Sequence, residues 1–173
     1  EKPSVAQSYA KNLSAYKKKD GYLEGESCIV SWCLGHLAEY AQPEEYDPKY
    51  EKWQFDDLPI LPEAWKLKVS KDKKKQFEVI KTLMNRSDVE YLVNGCDAGR
   101  EGELIFQRVY VLAGCRKPVK RLWISSMEDA AIQKGFQTMK SEEEYKNLCM
   151  AAVCRAQADW LIGMNGTRAY TTR

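Results

Sequence analysis

No run of apolar residues in this chain approaches the roughly 18 needed to cross a bilayer. No apolar segment follows a basic start, so no export signal is expected. Cysteines occur at 28, 33, 96, 115, 149 and 154, but no two are spaced Cys-x-x-Cys, which argues against a zinc ribbon. The thiols are expected as small packed hydrophobes in a reducing compartment, with Cys96, Cys149 and Cys154 in apolar company. Histidine occurs once, at His36. Charge of one sign is not in excess: the net is +2 with 30% charged residues. Global charge therefore neither demands nor excludes a nucleic-acid partner, and any such role must come from local placement. A 44% hydrophobic content over 173 residues is ordinary for a folded domain and leaves room for the start of a second. Glu1 is not an initiator Met and precedes a helix start, while the chain ends on Thr-Thr-Arg173; both ends read as cuts through a longer protein.

What is present alternates. Pro3-Ser4 opens a helix with Val5, Tyr9 and Leu13 on one face, and the lysines at 17–19 with Asp20-Gly21 are expected to close it. Ser27 to Cys33 reads as a buried strand and 34–37 as a tight exit. Residues 42–63 hold four of the six prolines and read as a long ordered loop. Strands are expected near 65–70, 90–95 and 119–124, helices over 71–85, 99–113 and 127–139. A further helix runs from 148 to about 164. This predicts an α/β fold with a mainly parallel central sheet flanked by helices. The charged stretch 141–147 suggests a boundary, giving domains 1–143 and 144–173. Trp53, Trp65, Trp123 and Trp160 each adjoin an apolar segment and are expected in the core.

Asp97 and Glu101 carry the chemistry. In Asn94-Gly-Cys-Asp-Ala-Gly-Arg-Glu-Gly-Glu-Leu-Ile105, Asp97 ends a strand and Glu101 opens the next helix. Ligands gather at the carboxyl ends of parallel strands, and acids are favoured at a helix start. Such an oxygen-rich cup suits Mg²⁺, held by one or two carboxylates, waters and substrate phosphate, with Arg100 adding a fixed cation. The same acids also read as helix caps paired with Arg100 or Arg108. Glu1 beside Lys2 at a strand exit could carry a proton beside a phosphate-holding ammonium, or be simply an exposed terminal pair.

Five segments in order are similar to landmarks of the type IA DNA topoisomerases of the topoisomerase III kind. They are Glu1-Lys-Pro-Ser-Val-Ala6, Ser31-Trp-Cys-Leu-Gly-His-Leu37, Cys96-Asp-Ala-Gly-Arg-Glu-Gly-Glu-Leu-Ile105, Arg121-Leu-Trp-Ile-Ser-Ser-Met127 and Arg155-Ala-Gln-Ala-Asp-Trp-Leu-Ile-Gly163. The resemblance implies a Toprim fold whose first strand, before Glu1, is missing, followed by the start of a helical single-strand-binding domain. It implies cleavage of one DNA strand by a tyrosine lying beyond residue 173, strand passage and resealing without ATP, in a monomer of the cytoplasm and nucleoid. On this resemblance Glu1 is the proton donor, Lys2 steadies the scissile phosphate, and Asp97 and Glu101 hold Mg²⁺ with Glu103 in reserve. His36, Arg100, Arg155, Asp159, Asn165, Thr167 and Arg168 would face single-stranded DNA. The family's second Asp is Gly99 here, which leaves the metal one carboxylate short.

Several readings stay open. His36 could instead bond a loop carbonyl, and Arg155 with Asp159 could be a solvated pair one helical turn apart. The lysines at 71 and 73–75 suit a solvated helix start better than a DNA contact. A stand-alone, non-catalytic Toprim module, or a Toprim nuclease or primase, would share the acidic motif.

Overall fold

The computed structural model describes residues 2–172. Helix α1 (Pro3–Asn12) starts with Pro in its first turn and buries Ala6, Tyr9 and Ala10. It ends sooner than expected. Ser14 takes the left-handed conformation (φ 55°), and the N–H groups of Ser14 and Ala15 reach back to the carbonyls of Lys11 and Ala10. That is the usual closure of a helix around a left-handed residue. Freed from the helix, the lysine run becomes a strand: β1 (Lys17–Lys19), β2 (Tyr22–Glu24) and β3 (Ile29–Ser31) form an antiparallel sheet in that order. The residues of β3 are only half-buried.

Strand β4 (Ala38–Tyr40) pairs antiparallel with β5 (Leu67–Val69). Between them the proline-rich segment runs as three short 3-10 turns at Pro43–Glu45, Pro48–Glu51 and Phe55–Asp57. A 3-10 turn (Lys71–Lys73) leads into α2 (Lys74–Met84). Then β6 (Leu92–Asn94), α3 (Arg100–Leu112) and β7 (Val119–Arg121) form a strand-helix-strand unit with β6 and β7 parallel, Leu92 opposite Val119. Helix α4 (Asp129–Gln137) follows, then β8 (Lys140–Ser141), antiparallel to β7. Helix α5 (Lys146–Thr171) closes the described chain.

The α/β class stands, but the sheet is not mainly parallel: among the described residues only β6 and β7 run the same way. Parallel pairing needs a crossover long enough to return the chain. Helix α3 supplies one, whereas β1 to β3 are joined by short turns that force hairpins.

Three apolar clusters hold these layers together. The largest joins α2 to α3 through Phe77, Ile80, Ile105, Phe106 and Val109. A second sets Tyr9, Leu122 and Ile132 between α1, β7 and α4. The third centres on Tyr40, Ile60 and Trp160, with Trp65 in edge contact with Trp160 at 5.4 Å. Trp53 and Trp123 are exposed, contrary to expectation, as is Cys154. Trp123 stacks on Tyr145 across the surface instead. A cleft of about 770 Å³ opens beside β3 and β6, whose facing edges carry no partner strand among the described residues.

Proline-rich backbone has few ladder partners, so side chains must satisfy it. Asn165 does this for Ile60, accepting from its N–H (2.6 Å) and donating to its carbonyl (3.0 Å). Trp160 Nε1 donates to the Ala41 carbonyl at 3.1 Å. Asn165→Ala should therefore orphan both groups of a buried residue and cost at least about 2 kcal/mol. Urea unfolding should show the loss, and limited proteolysis should cut faster between residues 48 and 58.

Candidate metal and nucleic-acid site

Strand β6 delivers Asp97 to the surface at its carboxyl end, and α3 begins three residues later. The turn between them is tight. A Cβ on Gly102 would lie 2.1 Å from the Asp97 carbonyl oxygen, so only glycine lets the first turn of α3 close over Asp97. Gly99 is the N-cap residue, with extended backbone and no side-chain cap; a Cβ there would meet nothing within 4 Å.

Asp97, Arg100 and Glu101 are all exposed. No hydrogen bond to the Asp97 carboxylate is found among the described residues. Its charge is felt by Tyr9, whose hydroxyl is pushed up to about 12, first by burial and then by Asp97. Helix α1 thus lies alongside the turn. Glu101 Oε1 is bonded to His36 Nε2. The other imidazole nitrogen, Nδ1, is buried with no hydrogen-bond partner among the described residues. A proton on Nε2 satisfies Glu101 and leaves only a lone pair unmet inside. His36 therefore binds an acid of the turn, and its own carbonyl accepts from Lys73 Nζ at 2.8 Å.

Glu103 does something else. It is 1% exposed and paired with Arg121, itself fully buried, Nε to Oε1 at 2.6 Å. Asn94 Nδ2 reaches its other oxygen at 3.4 Å. Arg121 also donates to the carbonyls of Asn94 (3.0 Å), Cys96 (2.7 Å) and Leu122 (2.9 Å) through Nη1, and of Asp97 (2.8 Å) through Nη2. The guanidinium thus fixes the backbone that presents Asp97. Glu103 is committed to it and is not brought to the cup. Its burial has a sequence signal: it lies on the same helical stripe as Phe106, Val109 and Ala113, which face the core. Arg121, by contrast, stands out in the sequence only as the first residue of a motif.

Glu1 lies outside the described residues. Lys2 is exposed at the N-cap of α1. On α5, Arg155 and Asp159 form an exposed pair at 3.6 Å, and Thr167 is exposed. Asn165 and Arg168, expected to face DNA, are engaged within the fold. Asn165 clamps Ile60, and Arg168 is 4% exposed, donating to the Tyr50 carbonyl at 2.7 Å beneath the Trp53 ring. Both serve the proline-rich backbone, whose partners lie far away in sequence. Among the described residues no group of three His, Cys, Asp or Glu side chains converges as a metal cage. Among them, too, no helix is long and apolar enough to cross a membrane.

A β-α-β unit with an acid past the strand end and another at the helix start is the arrangement that the resemblance to a Toprim domain leads one to expect. The Toprim domain model matches residues 1–127, and the chain belongs to that family. Over all 173 residues it is 51% identical to the DNA topoisomerase 3 of Bacillus subtilis (strain 168) and to that of Bacillus anthracis, and 49% identical to that of Bacillus licheniformis. The chain spans 24% of the length of each of these relatives.

Removing one member of the buried pair strands the other. Arg121→Met should cost about 3–5 kcal/mol, and adding Glu103→Leu should recover most of it. Both variants lose the tie to the Asp97 carbonyl. Hydrogen exchange at the amides of residues 96–99 should therefore stay fast in the double variant even where urea unfolding shows restored stability.

Proposed function

We propose that this chain supplies the Mg²⁺- and DNA-binding portion of a type IA DNA topoisomerase, an enzyme that cleaves, passes and reseals single DNA strands without ATP. The observation that carries this reading is the pair of exposed carboxylates, Asp97 and Glu101, on either side of a backbone turn that Arg121 locks from beneath. The extent and level of identity to proteins named DNA topoisomerase 3 supports the same class.

The donor set fits a hard cation. Two carboxylates with water and substrate phosphate completing the shell is the usual protein complement for Mg²⁺. Bound there, the ion would neutralise phosphate charge beside the reacting bond. Asp97 and Glu101 are its ligands, and His36 holds Glu101 in orientation as partners of metal-binding groups do. Glu1 donates the proton to the leaving oxygen and Lys2 steadies the phosphate. Arg100, with Arg155, Asp159 and Thr167 on α5, faces the single strand; Arg168 and Asn165 shape that surface from inside. The helical domain begins at residue 144. The nucleophilic tyrosine is none of the ten in this chain, so these residues alone bind but do not cleave. The full protein acts as a monomer.

In the full-length protein, Asp97→Ala or Glu101→Ala should abolish Mg²⁺-dependent relaxation of negatively supercoiled plasmid, as should EDTA on the parent. Undiminished relaxation in both variants would remove these residues from the mechanism. Gly99→Asp has room for its side chain. It should add a capping acceptor and a favourable charge at α3, raising stability by up to about 1 kcal/mol. Calorimetric titration should show tighter Mg²⁺ binding.

A further inference from the structure

Two lysine runs that lie far apart in sequence share one surface. Lys17, Lys18 and Lys19 form β1, the outer strand of its sheet, and all three are exposed. Lys71, Lys74 and Lys75 are exposed at the approach to α2. Lys75 Nζ lies 2.8 Å from Asp20 Oδ2 at the hairpin turn, which sets the runs side by side.

The junction between them is built. Buried Gln76 donates through Nε2 to Gly21 O (3.1 Å), Ser31 Oγ (3.3 Å) and Trp32 O (2.7 Å). Gly21 has φ +81°, and a Cβ there would come within 2.8 Å of Gln76 Oε1. The hairpin therefore sits against α2 too closely for a side chain. Lys73, between the exposed lysines, donates to the carbonyl of His36, whose imidazole is bonded to Glu101. The ridge thus abuts the acidic turn.

Its charge is out of proportion. Residues 17–20 and 71–75 hold seven lysines against two aspartates, a net of +5; the whole chain is +2, so the remainder carries −3. Lysines on an edge strand discourage strand-to-strand association, but a second run packed beside them adds nothing to that. It adds repulsion, which a polyanion would relieve. The start of α2 contributes positive dipole in the same place.

We propose that this ridge binds the phosphate backbone of the DNA segment flanking the acidic turn, through charge and without reading bases. Lysine ammoniums act as point charges on phosphates and fix position rather than sequence. The assignment rests on the turn being a nucleic-acid site for its location, but the binding itself needs no metal.

The test measures fluorescence anisotropy of a short labelled duplex with the full chain in EDTA, across several salt concentrations. K17Q/K18Q/K19Q, K74Q/K75Q and the five-fold combination are compared with the parent. The five-fold variant should bind at least about tenfold more weakly near 0.1 M salt. Its plot of log affinity against log salt should be shallower by about 0.9 for each phosphate that the parent neutralises and the variant does not. Its melting temperature should change little, because every altered side chain is exposed and the Lys75–Asp20 pair that it loses is solvated; if it falls, K17Q/K18Q/K19Q, which keeps that pair, carries the reading. Asp97→Ala and Glu101→Ala each remove a carboxylate that repels phosphate in EDTA, so they should bind the duplex more tightly there while losing Mg²⁺ binding in calorimetric titration, which tells failure of the metal site from failure of the ridge. An unchanged affinity and slope in the five-fold variant would overturn the proposal. So would intact DNA binding alongside abolished binding to phosphatidylserine vesicles.

Discussion

Burying a carboxylate and a guanidinium together costs several kcal/mol for each ion, and their attraction offsets this only when the remaining hydrogen-bonding capacity is also met. Glu103 and Arg121 meet that condition. The guanidinium donates to Glu103 and to four backbone carbonyls, and Asn94 supports the second carboxylate oxygen. Those carbonyls belong to the last residue of β6, the turn after it and the residue following β7. One side chain thereby fastens the parallel pair to the turn that starts α3. Because Arg121 takes the backbone of Asp97, the carboxylate of Asp97 is left facing out. The inner acid neutralises the inner cation, and the outer acids remain available.

The other buried arginines meet that condition only in part, since Nε of Arg108 and of Arg168 is buried with no hydrogen-bond partner among the described residues. Arg108 lies over the Tyr40 ring at 4.5 Å and donates to the Ala38 carbonyl; Arg168 lies over Trp53 at 4.9 Å and donates to the Tyr50 carbonyl. Among the described residues neither has a carboxylate at hydrogen-bond distance, Glu44 approaching Arg168 only to 3.8 Å. Aromatic faces and carbonyl oxygens stand in for counter-ions, which guanidinium tolerates better than ammonium does. Cations that could meet phosphate are therefore the exposed ones, among them Arg100, Arg116, Arg155 and the exposed lysines.

The strand-helix-strand unit around Asp97 is legible in the sequence, because Leu104, Ile105 and Val109 repeat at helical spacing and short apolar runs flank them. The family follows from the ordered motifs. What is not legible depends on contacts across the fold. The lysine run at 17–19 reads as a helix end because the left-handed closing residue is Ser14 rather than glycine. Asn165 and Arg168 read as DNA-facing because nothing local reveals that a proline-rich segment more than 100 residues earlier needs their hydrogen bonds. His36 reads as DNA-facing, or as bonding a loop carbonyl, because its partner Glu101 lies 65 residues away.

Charge placement then links the acidic turn to the ridge beside it. A near-neutral total conceals a cup of outward carboxylates beside a basic strip, joined through Lys73 and His36. Without a cation, Asp97 and Glu101 repel phosphate over the few ångströms where screening by salt is weak. The lysines attract it over a wider surface. On the proposed reading, DNA is held by the ridge first, and a divalent ion between the carboxylates turns the cup from repulsive to attractive. Affinity and metal-dependent chemistry would then reside in adjacent but separate groups of residues. His36 lies where the two groups meet, bonding Glu101 with its side chain and accepting from Lys73 at its backbone carbonyl.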